Sequence, residues 1–181
     1  MGIEEPRPPH PSQAQGGTRD GATIRPLTES DVDAVVAFSL DAWTPVFAGL
    51  EAVMGSRAYG LVYPDWRTAQ TAAVAGVCRS GDVEVWVADV GGTPVGFVAV
   101  RWTEEGATPV GEVEMIAVAP RHQRAGIASR LLERAVAEVA DRDVPLVVIG
   151  TGGDPGHAPA RALYERHGFT GLPLVSYYRA L

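Results

Sequence analysis

The residues of this chain best placed to do chemistry are two carboxylates and a basic turn that follows them. Glu112 and Glu114 lie two apart in Gly111-Glu112-Val113-Glu114-Met115-Ile116-Ala117-Val118, and side chains two apart on a strand project to one face. Either can accept a proton from a nucleophile, directly or through water. Arg121-His122-Gln123-Arg124-Ala125-Gly126 comes next and opens a helix. A turn of this kind aims unpaired main-chain N–H groups, and the positive end of the helix dipole, at one point. That point suits a phosphate or pyrophosphate. Gly126 keeps a side chain from standing between the phosphate and the backbone.

These groups need a strand, a turn and a helix in fixed order. Val113, Met115 or Ile116, and Val118 have the bulk of a strand, and Pro120 stops it because proline cannot donate to a ladder. Beyond the turn, Ile127, Leu131, Leu132, Ala135, Val136 and Val139 recur at steps of three and four, one apolar face of a helix. Upstream, Val83–Asp89 and Pro94–Trp102 alternate as paired strands around the turn Val90-Gly91-Gly92-Thr93. Downstream, 146–149 is short and apolar on both faces, as a central strand would be. A glycine-rich loop over 150–156, a helix over 158–167 and a final strand over 169–181 complete the order.

The turn and its flanks resemble motif A of the GNAT superfamily of acyl-CoA N-acyltransferases, Gln/Arg-x-x-Gly-x-Gly/Ala, here Gln123-Arg124-Ala125-Gly126-Ile127-Ala128. A second segment, Ala160-Arg161-Ala162-Leu163-Tyr164-Glu165-Arg166-His167-Gly168-Phe169, is similar to the family's Ala-x-x-Leu-Tyr-x-x-x-Gly-Phe. The resemblance covers roughly residues 22–181 and is clearest after residue 83. It implies an α+β fold: a mixed, mostly antiparallel central sheet with a splayed strand pair, flanked by helices.

The resemblance also implies roles. Acetyl-CoA is the expected acyl donor. Its pyrophosphate would sit on Gln123, Arg124, Ala125, Gly126, Ile127, Ala128 and Ser129, with Arg121 within reach of the adenosine phosphate. Its pantetheine arm would run beside Ile116, Ala117 and Val118. The family often has an asparagine three residues before the position of Ala160; His157 stands there instead and is the candidate to replace that contact. An attacking amine must be neutral, whereas a free alkylammonium has a pKa of about 10. A glutamate on the strand before motif A often removes that proton, and here either Glu112 or Glu114 can, with Glu112 slightly preferred. Tyr164 is the expected proton donor to the departing thiolate.

Composition narrows the partners. The chain has 181 residues, 46% hydrophobic and 20% charged, with a net charge of −7, which argues against a general nucleic-acid binder. Cys78 is the single cysteine, so no internal disulfide can form and a reducing cytoplasm fits. No apolar run of eighteen or more is evident, so no membrane partner is expected. His10, His122, His157 and His167 have no carboxylate or cysteine at ligand spacing, and no metal site is expected. A homodimer is left open.

Residues 1–20 hold four prolines and little to bury, and read as a disordered tail ahead of one acetyltransferase domain over 21–181. After a first strand near 22–27, Thr28 or Ser30 caps a helix that fades near Trp43-Thr44-Pro45, and a further helix starts at the cap Asp65. This insert carries Trp43, Phe47, Tyr59, Tyr63 and Trp66. These aromatics are either core anchors or, with Trp43, Phe47, Tyr63 and Trp66 as the candidates, the wall of an acceptor pocket. An enclosed pocket favours a small-molecule amine; an open groove would favour a peptide. A catalytically silent acyl-CoA-binding module is the reading from another class, and the proton-transfer groups argue against it.

Overall fold

The computed structural model describes residues 21–181; the tail expected over 1–20 lies outside them. Five strands form one sheet in sequential order: β1 (Thr23–Pro26), β2 (Val83–Val90), β3 (Thr93–Glu105), β4 (Thr108–Val118) and β5 (Leu146–Ile149). The first four are antiparallel neighbours, and β5 joins β4 in parallel. A parallel step needs a crossover, which here is helix α4 (Ile127–Asp141). Helices α1 (Val32–Met54), α2 (Ser56–Val62) and α3 (Trp66–Arg79) lie between β1 and β2, and α5 (Ala158–Arg166) follows β5.

Strand alternation builds two cores, one on each face of the sheet. Val98, Val100, Val113 and Val118 pack against Leu131, Leu132, Ala135 and Val139 of α4 and Leu163 of α5. Phe97, Ala99 and Ala117 face the other way, against Val35 and Phe38 of α1 and Val74 and Val77 of α3. At Gly111 strand and helix come so close that a methyl group would overlap Val139. Only glycine lets β4 lie this near α4.

The helical insert differs from expectation at Pro45. α1 does not fade there but runs through it for 23 residues and stops at Gly55. An interior proline costs about 3 kcal/mol, and burial of Phe38 and Phe47 on either side offsets it. The expected cap at Asp65 is present, its carboxylate accepting from Thr68 N at 3.1 Å. α1 is long and apolar enough to cross a bilayer by length and composition alone, contrary to the expectation that no such stretch exists. In this fold Val32, Val35, Phe38 and Phe47 bury its apolar side against the sheet and its neighbouring helices.

Two further corrections concern the end of the sheet. β5 is an edge strand, not a central one. Residues 169–181 form no strand; they pair with no sheet edge, and Leu172, Leu174, Val175 and Tyr177 stand exposed.

Candidate active site

The site lies where the sheet comes apart. β5 pairs with β4 only from Val110↔Leu146 to Val113↔Ile149. Past Val113 the two strands separate, and the edge of β4 from Glu114 to Val118 has no strand beside it. The same point carries a bulge: Ala99 pairs with Met115 but Val100 pairs with Val113, leaving Glu114 as the extra residue. Bulges bend a strand and re-aim its side chains. The opening leads into a cleft of about 970 Å³ between β4, the start of α4, the loop after β5, and α1.

At its base sits the turn into α4. Gln123 Nε2 donates to Val118 O at 3.0 Å and ties the turn back to the strand. Arg124 and Gly126 both have positive φ, 63° and 81°. Space is open around Gly126, so glycine is required there by conformation and not by a neighbour. The first main-chain bond of α4 runs from Arg130 N to Gly126 O. The N–H groups ahead of it are therefore free to bind an anion at the positive end of the dipole. Gly126, Ile127, Ala128 and Ser129 all border the cleft.

Tyr164 enters from α5. It is 8% exposed, and no hydrogen bond reaches its hydroxyl among the described residues. Burial pushes its pKa up to about 12, which keeps the phenol protonated and able to donate. His157 also borders the cleft, and its Nδ1 is bonded to Asp154 Oδ2. Asp154 accepts from Gly156 N at 2.9 Å as well. Burial raises the Asp154 carboxyl, but the bonds from His157 and Gly156 outweigh it, and the group sits below its ordinary range. With Nδ1 engaged, the other ring nitrogen of His157 is the one left to meet a ligand.

The two glutamates part company. Glu114 borders the cleft and is bound to Arg101, Nε to Oε2 at 2.9 Å and Nη2 to Oε1 at 3.3 Å. Glu112 does not border it, because it lies opposite Val148 where β4 and β5 are still joined. Of the expected cofactor contacts, Ile116, Ala117, Val118, Gln123, Arg124, Gly126, Ile127, Ala128, Ser129, His157 and Tyr164 line the cleft, and Ala125 does not. Of the aromatics, Trp43, Phe47 and Tyr63 line it, while Trp66 stacks behind Phe47 with ring centroids 4.0 Å apart. Sequence reasoning assigned no role to His122 or to Gly150, Thr151 and Gly152, which also form the walls. A glycine-rich loop directly after a parallel strand was the signal available for the last three.

A sequence model described as "Acetyltransferase (GNAT) family" matches residues 55–169, and the chain belongs to that family. No curated protein matches the sequence. Among solved structures the fold is similar to the aminoglycoside N-acetyltransferase AAC(6')-Iy in complex with the bisubstrate analogue CoA-S-monomethyl-acetylneamine, at TM-score 0.60 and 17% identity over 88% of this chain and 98% of that one. It is similar to a transcriptional regulator from Bacillus halodurans, at TM-score 0.60 and 22% identity over 87% and 99%. It is also similar to the ribosomal-protein-alanine N-acetyltransferase of Brucella melitensis biovar Abortus, at TM-score 0.55 and 19% identity over 88% and 99%. At these identities the likeness is one of fold.

Proposed function

We propose that this acetyltransferase moves an acetyl group from acetyl-CoA to the amine of a small molecule by direct attack. One observation carries the reading: the sheet opens at Glu114 into the same cleft that the N-terminus of α4 and the buried Tyr164 border. The donor's pyrophosphate would rest on the main chain from Gln123 to Ser129, with Arg124 adding charge. Its pantetheine arm would complete the β4 edge that β5 leaves bare, with His157 as a further contact.

In the proposed reaction Glu114 takes the ammonium proton, through water where Arg101 holds its carboxylate, and the neutral amine attacks the thioester carbon. A main-chain N–H at Ile116 or Ala117 meets the charge that develops on the acyl oxygen. As the carbon–sulfur bond breaks, Tyr164 donates its proton to the thiolate, and the second proton shed by the amine nitrogen passes through water to the phenolate. Cys78, buried in α3, takes no part. Trp43, Phe47 and Tyr63 wall the acceptor side, an arrangement that suits a compact apolar-faced amine better than an extended chain.

Calorimetry with acetyl-CoA tests the first half of the reading, and thiol release over a panel of amines tests the second. Heat on titration and turnover with compact amines that carry an apolar face, ahead of extended polyamines, are expected. Turnover confined to peptides with a free N-terminus would move the acceptor class to peptide. Binding without turnover on any amine would leave only an acyl-CoA-binding module.

A further inference from the structure

Two protons leave the amine nitrogen in the proposed reaction, and the groups assigned so far receive only the first. Among the described residues, Glu114 is the one carboxylate bordering the cleft, and it already holds the ammonium proton when the thioester is attacked. Tyr164 then stands as a phenolate that is 8% exposed, out of easy reach of bulk water. The proton still on the nitrogen needs a carrier inside the cleft.

We propose that His157, oriented by Asp154, is that carrier: its Nε2 takes the second proton through water and passes it on to the Tyr164 oxygen. The step rests on the reaction proposed above and adds a residue to it. The nitrogen loses the proton as the amide forms, and the ring holds it as imidazolium beside the Asp154 carboxylate. The phenolate then recovers it, so histidine and tyrosine both return to their starting states.

The surroundings of the ring are the first reason. The Asp154 side chain is 6% exposed, accepts from Gly156 N at 2.9 Å and meets His157 Nδ1. A carboxylate can only accept, so Nδ1 carries the proton and the lone pair falls on Nε2. The same carboxylate offsets the charge on the ring once Nε2 is protonated. The loop closes tightly on this pair. Arg161 Nη1 donates to the carbonyls of Gly152 and Asp154. A methyl group on Gly152 would overlap both the carboxylate and the ring, and one on Gly156 would overlap α1 at Val46.

Placement is the second reason. His157 and Tyr164 are seven residues apart, about two turns, so they share one side of α5. Both border the cleft, as do Ala160 and Leu163 between them. Helical side chains lean towards the N-terminus, which carries the Tyr164 hydroxyl towards His157. α1, which meets this loop at Val46, is also the helix that brings Trp43 and Phe47 to the acceptor wall. The ring therefore adjoins both the acceptor side and the phenol. His122 also borders the cleft, but it lies in the turn that the pyrophosphate would occupy. Of the two, only His157 has a carboxylate against its ring among the described residues.

Thiol release by the full chain at saturating acetyl-CoA, with the amine that turns over best, tests this. His157→Gln keeps a hydrogen-bonding side chain but cannot carry a proton. It should lower kcat about 10²-fold, while calorimetric affinity for acetyl-CoA stays within about threefold and the melting temperature holds. Because the carrier serves only the phenolate, adding His157→Gln to Tyr164→Phe should slow that variant less than about twofold. Asp154→Asn should lose part of the same turnover, yet cost nothing further once His157 is replaced by Gln. Losses that multiply in the Tyr164 double variant would overturn the proposal. So would a His157→Gln chain whose only defect is weaker acetyl-CoA binding, since the ring would then be a cofactor contact. Full turnover by His157→Gln would refute the carrier alone, whereas a wild type that acetylates no amine would refute the proposed function and the carrier with it.

Discussion

The sheet is finished differently at its two ends. On the β1 side, Arg25 bridges Asp31 at 2.6 Å and Asp89 at 2.7 Å, and Asp31 also accepts from Thr28 N and Oγ1, each at 2.8 Å. The Arg25 guanidinium holds the Asp31 carboxyl well below the usual range, more than offsetting its burial. Arg130 of α4 reaches over to donate to Ala22 O at 2.8 Å. On the β5 side four residue pairs join the strands, as many as join β1 to β2, and the sheet then opens, so that β4 from Glu114 to Val118 borders a cleft. The closed end holds the fold together; the open end leaves main-chain donors unspent for a ligand. Substitutions at the two ends should therefore fail in different ways.

The largest expected effect is at the open end. Tyr164→Phe should lower kcat about 10³-fold, within the range of acid–base catalysis, with little change in the melting temperature. Because burial lifts this phenol to about 12, wild-type activity should not fall through its ionisation below about pH 10, its ordinary value. A tyrosine-dependent loss near neutral pH would contradict the assignment. For stability the sign runs the same way: the raised phenol stabilises the fold below its unfolded value, and that contribution is lost as pH rises towards 12.

At the closed end the loss should be of stability. Asp31→Asn weakens a half-buried pair in which Arg25 keeps Asp89, and should cost about 2 kcal/mol, a fall of roughly 4–8 °C in melting temperature for a chain of this size, with activity per folded molecule unchanged. The Asp31 carboxyl is lowered on folding, so its stabilisation is present above its unfolded value of about 3.9 and is lost as pH falls below that. Urea midpoints measured from pH 6 to pH 2 should drop more steeply in wild type than in the variant.

Glu114→Gln should cut kcat/KM about 10²-fold, whereas Glu112→Gln, on the joined stretch of strand, should stay within about twofold, less than ~0.5 kcal/mol. The reverse ranking would put the base on the wrong side of the opening. Gly126→Ala falls between those two, a backbone strain of about 1 kcal/mol that should weaken acetyl-CoA binding roughly fivefold by calorimetry.

Much of the working end was legible before any fold was known. The turn from Gln123 to Gly126 and the helix after it are local: proline stops the strand, a positive φ needs glycine, and a period of three and four marks the buried face. The hairpin at Gly91-Gly92 and the cap at Asp65 were readable for the same reason. Pro45 misled because its local cost was visible and the burial of Phe38 and Phe47 was not. Trp66 was indistinguishable from Trp43 as an aromatic in a helical insert; only packing sets it behind Phe47.

By itself, then, the sequence determined the strand, turn and helix between Glu112 and Val139 and the hairpin before them, since these depend on neighbours a few residues away. Only the tertiary structure decided that Glu114 and not Glu112 meets the cleft, that β5 is an edge, and that the last segment finds no partner in its own chain. Each of these depends on where β4 and β5 cease to pair, a distance between two strands separated by a turn and an entire helix. No pattern of neighbouring residues encodes that distance.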